Sequence, residues 1–118
     1  MSVLERAKTQ FRERLGGELR VLLVPEWPDS EGKPTEVYYK PSLNLRQQQE
    51  ILSLNSRDKA AEAIAMTMIL RALDVDGKPL FRKIELSEIM RGVDPDVVAR
   101  IVTEMNSDEL SDDELEKN

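Results

Sequence analysis

The run Asp58–Leu73, DKAAEAIAMTMILRAL, constrains this chain more than any other stretch. Between Glu62 and Arg71 it carries no charge, and its apolar side chains cover almost every face of a helix. A helix that is apolar nearly all round is buried, in a protein core or in a membrane. The uncharged stretch is shorter than the roughly 18–20 residues that a membrane span needs, so the pattern predicts a central core helix over 57–73. Ala60, Ala61, Ala63 and Ala65 allow neighbouring helices to approach closely. Met66 and Met68 either fill irregular gaps in that core or serve a surface that re-packs around a partner.

With 118 residues the chain is expected to form one domain, large enough to bury a core without disulfide staples. Charged residues make up 34% and aromatic residues only 4%, so that core should be aliphatic and mostly helical. The absence of Cys and His excludes disulfides, thiolate nucleophiles, Cys/His zinc sites and any Ser–His relay. No signal peptide is expected, because Ser2–Gly17 is charged and amphipathic and lacks an apolar segment. The net charge of −6 is unevenly placed. In 107–118 six acids (Asp108, Glu109, Asp112, Asp113, Glu114 and Glu116) stand against Lys117, a net −5 that leaves −1 for residues 1–106. Neither part offers the clustered basic surface of a nucleic-acid binder.

Ser2 and Glu5 have the spacing of a capping box, followed by Leu4, Ala7, Phe11 and Leu15 at helical intervals. This predicts a first helix over 2–15, stopped by Gly16-Gly17, which either docks on the body or serves as an arm in assembly. Alternating residues from Glu18 and again over Thr35–Lys40 predict a β-hairpin spanning 18–41, with a long loop rich in Pro, Gly and Asp. The odd-numbered face (Leu19, Val21, Leu23, Val37, Tyr39) is the expected core face. Leu22, Val24, Tyr38 and Trp27 then form an apolar patch on the other face, a candidate partner surface unless a terminal segment covers it. Asn44 and Gln47 cap a second helix over 44–54, with Leu45, Leu52 and Ile51 expected to face inward. A break at Asn55-Ser56, with Ser56 as a cap, makes an αα-hairpin with the central helix. Asp76-Gly77 marks a turn, Ser87–Arg91 a short helix, and Asp94-Pro95 the start of an amphipathic helix over 95–106. Its stripe is Val97, Val98, Ile101, Val102 and Met105. The acidic segment 107–118 loses the apolar pattern and is expected to be disordered or a frayed helix. The fold class is thus α+β: a mostly helical domain over 1–106 with one hairpin packed on it, plus a flexible acidic tail.

No catalytic, cofactor-binding or metal-binding constellation emerges. Asp74, Asp76 and Glu85 match the first, third and twelfth places of an EF-hand loop, but Lys78 and Pro79 occupy its fifth and sixth. A helix-turn-helix drawn over Ile84–Met105 would place Asp94 and Asp96 at the phosphate-facing end, with Arg100 as its only cation.

The order of motifs carries further information. Val24-Pro25-Glu26-Trp27 ends the first strand, Glu36-Val37-Tyr38-Tyr39-Lys40-Pro41 returns, two helices follow, and then comes Asp76-Gly77-Lys78-Pro79-Leu80-Phe81. Asp94-Pro95-Asp96-Val97-Val98 opens the last helix. This arrangement, over about residues 2–118, resembles the tail assembly chaperones of long-tailed, siphovirus-type bacteriophages. Two departures stand out: the loop Pro28–Thr35 is longer than the family's usual glycine turn, and Tyr39-Lys40-Pro41 replaces the usual strand end.

The resemblance implies a non-enzymatic protein of the infected host cytoplasm, absent from the mature virion. It implies binding to the tape measure protein and promotion of tail tube polymerisation around it, with no cofactor, nucleic acid or membrane. Leu22, Val24, Trp27, Tyr38, Met66 and Met68 are the candidate partner-binding residues. Leu4 and Phe11 are candidates for self-association into a homo-oligomer. Glu116-Lys117-Asn118 can be encoded by a slippery heptamer, in keeping with the family's programmed frameshift, through whose longer product the tail tube protein would be engaged. The alternatives are a structural tail component and, ranked lower, a small DNA-binding regulator.

Overall fold

The computed structural model describes residues 2–17 and 19–117, with side chains in the last helix described as far as Ser107. Glu18, the expected first residue of the hairpin, lies outside them. Among the described residues nine elements follow in order. Helix α1 is Val3–Leu15, strands β1 and β2 are Arg20–Pro28 and Pro34–Tyr39, and helices α2 and α3 are Leu45–Ser56 and Ala60–Arg71. Strand β3 (Ala72–Leu73), a 3-10 turn (Lys83–Glu85), α4 (Leu86–Gly92) and α5 (Pro95–Lys117) complete the chain. The structure is therefore α+β as expected, but its sheet has three antiparallel strands in the order β1-β2-β3. The two-residue β3, which pairs Leu73 with Tyr38 and Ala72 with Tyr39, has no sequence pattern of its own. It exists because the chain leaves α3 in an extended conformation at Ala72.

The central helix is the predicted core. Ala65, Met68 and Ile69 are buried, and α3 packs against α2, α4 and α5. The expected stripe of α5 is buried in full, with Ile101 and Met105 wholly inaccessible. Helix α5 runs to Lys117, beyond the expected end at Asn106. The expected disorder of 107–118 falls almost wholly on residues whose side chains lie outside those described.

Three local expectations are corrected. The first concerns the hairpin faces. Leu22 pairs with Val37, Arg20 with Tyr39 and Val24 with Thr35. Directly opposed residues share a face. Even positions of β1 therefore join odd positions of β2, and Leu22, Val24, Val37 and Tyr39 form the buried face. Val21 and Leu23 are 50% and 53% exposed. The second concerns α2, where Leu45 and Leu52 are 83% and 65% exposed. The helix instead meets the core through Ile51 and Leu54. The Asn44–Gln47 capping box forms in both directions, at 2.8 and 3.1 Å. The third concerns Ser56, which belongs to α2 and caps nothing in α3. The turn between the helices passes through Asp58 at φ 58°. Asp tolerates that left-handed conformation better than most residues.

Two loops share one design. DSEGKP (29–34) and DVDGKP (74–79) each begin with an Asp whose side-chain oxygen accepts two backbone N–H groups. Asp29 Oδ1 accepts from Glu31 at 2.8 Å and Lys33 at 3.0 Å, and Asp74 Oδ1 from Asp76 and Lys78, both at 2.9 Å. The glycines hold φ of 81° and 83°. That region favours glycine because a β-carbon is strained there. The Asp74 carboxylate is thus engaged in a turn, which accounts for the EF-hand-like spacing.

Among the described residues Arg71 is the one charged side chain in the buried set, at 2% exposure. Its guanidinium donates to the Lys40 carbonyl from Nε (3.3 Å) and Nη2 (2.9 Å), to the Pro41 carbonyl (3.3 Å) and to Asn106 Oδ1 (3.1 Å). A longer contact reaches the Met105 carbonyl at 3.5 Å. The Tyr39 ring lies 5.7 Å away, in cation–π range. One side chain thus ties the end of β2, the end of α3 and the middle of α5 together.

Replacing Arg71 with Met should leave these carbonyls without donors and lower unfolding free energy by roughly 2–4 kcal/mol in urea titrations. Arg71→Lys should recover only part of the loss, because an ammonium cannot span the same acceptors. Met68→Ala should cost about 2–5 kcal/mol, whereas Leu23→Ser on the open face should stay within roughly 0.5 kcal/mol.

Candidate functional site

The expected partner patch is divided by the register. Leu22 and Val24 are buried beneath the sheet, as are Met66 and Met68 in α3. Val24 and Met68 present no surface to a partner, whereas Met66 keeps a small edge on the wall of a cleft between α2 and α3. Tyr38 remains half-exposed on the outer face, and Trp27 is half-buried, edge-on to Phe81 with ring centroids 6.3 Å apart.

The outer face that the register creates is Val21, Leu23 and Tyr38, with Leu19 half-buried at its end. Val21 lies directly opposite Tyr38, and Leu23 opposite Glu36. The Tyr38 hydroxyl donates to Glu36 Oε2 at 2.8 Å, so the phenol rim is fixed along the strand. The Glu36 hydrogen bond, burial of the ring and the Glu36 charge together raise the Tyr38 pKa above its ordinary value. The DVDGKP turn borders the face, since a β-carbon at Gly77 would touch Leu19 Cδ1 at 4.0 Å. In the sheet order β1 is an edge strand. A long edge with an apolar outer face is a surface that natural proteins normally cover or use. The sequence signal for this face was present in Val21 and Leu23, but with its direction inverted.

Two further apolar surfaces were not anticipated. Ile64 and Met90 border a cleft of about 150 Å³ between α3, α4 and α5. On an all-apolar helix the stripe Ala61, Ile64, Ala65 could not be told from the buried one. Leu45 joins Leu4, Ala7 and Phe11 in a groove of about 410 Å³. Helix α1, the candidate self-association element, has no buried residue.

Among the described residues no group of three or more Asp, Glu, His or Cys could hold a metal ion. None of the described helices is long and apolar enough to cross a membrane. Arg100, the only cation of the would-be DNA-reading helix, is held by Glu26 at 2.6 Å and Glu104 at 3.3 Å. That cation is thus already paired with two carboxylates on the surface.

No protein-family model matches the chain, and no curated protein matches it. Among solved structures the fold is similar to that of the bacteriophage HK97 tail assembly chaperone. The TM-score is 0.61 with 18% identity, covering 85% of this chain and 94% of that one. The two chains therefore share an architecture over nearly their whole lengths.

Glu36→Gln should remove both the hydrogen-bonding carboxylate and its charge, so that Tyr38 ionises at lower pH. A tyrosinate absorbance titration of both proteins would show the direction of the change. An unchanged alkaline transition would mean that the Tyr38–Glu36 contact does not persist in solution.

Proposed function

We propose that this protein is a non-enzymatic assembly chaperone of a bacteriophage tail, binding the tape measure protein and promoting polymerisation of the tail tube around it. The observation that carries this reading is the shared fold with the HK97 tail assembly chaperone over most of both chains. The outer sheet face supports it. Val21, Leu23 and Tyr38 offer a contiguous apolar strip to an amphipathic client without opening the core. Leu22, Val24, Met66 and Met68 support the client only indirectly, by setting that strip on a rigid sheet. Tyr38 remains in the proposed contact, opposite Val21, and Trp27, half-buried against Phe81, is retained as a candidate beside it. Self-association through Leu4 and Phe11, use of a frameshift-extended form to engage the tube protein, action in the host cytoplasm and absence from the virion complete the reading. A structural tail component is the second reading, and mass spectrometry of purified virions separates the two.

Co-expression with the tape measure protein encoded downstream should keep that protein soluble and yield a complex on a sizing column. Val21→Lys combined with Leu23→Lys, which sets a cation opposite Glu36, should leave the circular dichroism and melting of the chaperone nearly unchanged and abolish the complex. A complex that survives this pair would remove the sheet face from the proposal. Failure of the wild-type chain to form any complex would remove the chaperone reading itself.

A further inference from the structure

Helix α1 and the Ser42–Leu45 segment frame an apolar groove with nothing seated in it among the described residues. Its walls include Leu4, Ala7, Phe11 and Leu45, and Lys8 stands on its rim. Helix α1 carries four cations (Arg6, Lys8, Arg12, Arg14) against two carboxylates (Glu5, Glu13), so its face is net positive. The chain holds one segment of opposite character, 108–117, with six acids against one lysine and two leucines, Leu110 and Leu115.

That segment begins beside the groove. Arg71 joins Asn106 to the Lys40 and Pro41 carbonyls, immediately before Ser42. Leu43 and Gln48 line both the pocket that contains Asn106 and the α1 groove. From Asn106 onward, ten or so helical residues extend about 15 Å, enough to lie along most of the 13-residue α1. The charge pattern also calls for a cationic neighbour. Acids crowd the C-terminal turns of α5, where the helix dipole disfavours them, and repeat at i, i+3 and i, i+4.

We infer that the acidic segment 108–117 docks on the basic, apolar face of α1 in the same chain and covers the groove formed by Leu4, Phe11 and Leu45. The contact combines opposite net charge with a small apolar seat, so it weakens with salt. Because Leu4 and Phe11 are also the self-association candidates, the docked segment competes with a second copy for one surface. This consequence rests on the function proposed above; the docking does not.

The test uses the full chain, mixed from isotopically light and heavy protein and treated with a zero-length carbodiimide cross-linker. Peptides joining Lys8 to the acids of 108–117 should appear within single chains. Mixed light–heavy links at their statistical share, about half of all links in an equimolar mixture, would overturn the inference in favour of a second copy. In parallel, Lys8→Glu with Arg12→Glu should make the amides of α1 exchange about fivefold faster, the scale of two or three exposed ion pairs. Adding Asp112→Lys and Asp113→Lys should restore protection. Exchange in α1 that is unaltered by the first pair, or not rescued by the second, would overturn the inference, and either result can be read with the core intact.

Discussion

The buried guanidinium of Arg71 is the constraint on which the rest of the structure depends. A charge removed from water is costly unless its donors are used. Arg71 meets that demand with backbone carbonyls from Lys40 and Pro41, the Asn106 amide and the face of Tyr39. These acceptors come from two parts of the chain and Arg71 from a third, so they can be met together only when β2, α3 and α5 are in their native places. Apolar packing among Val24, Met68, Ile101 and Met105 supplies the driving force but is non-directional. The fixed fork of the guanidinium adds direction to it.

The two DxxGKP turns bear on the same arrangement from the sheet side. One closes β1 onto β2, and the other follows β3 and returns to it through the Leu73–Pro79 bridge. In both, an Asp side chain supplies acceptors that a tight turn would otherwise lack, and a glycine takes the positive φ. The longer first loop, which departs from the usual short hairpin of the resembled family, is therefore an ordered Asp-capped turn. Its mate places Gly77 against Leu19 and frames one end of the outer sheet face.

Three surfaces remain apolar once the core is closed: the outer strip of the sheet, the Ile64–Met90 cleft and the groove under α1. In the proposed function these surfaces would hold other chains, and the inner residues of the hairpin and the methionines of α3 would contribute by keeping the sheet rigid. The docking inferred above would bring the two ends of the chain to one region, where it and assembly would be in competition.

Much of this was legible in the residues themselves. The uncharged run in 58–73 could only be a buried helix, the Asn44–Gln47 spacing could only serve a helix start, and the stripe from Val97 to Met105 had one period and one face. Each of these is a local or nearest-neighbour property. The hairpin was legible as two strands, but not the side it would bury. Alternation says that Leu22 and Val24 share a face and that Val37 and Tyr39 share a face; it does not say which pair meets which. That depends on register, and a shift of one residue exchanges every side chain between core and solvent. The exposure of Leu45 and Leu52 was likewise decided by how α2 is rotated against α3. Arg71 ended an apolar run with no sign that its partners lay some thirty residues away on either side. Sequence by itself determined which segments are helices and strands, because short-range sterics, capping and periodicity act within a few residues. Tertiary structure alone decided which faces are buried and which are offered to a partner, because those depend on registers and rotations set by contacts across the chain.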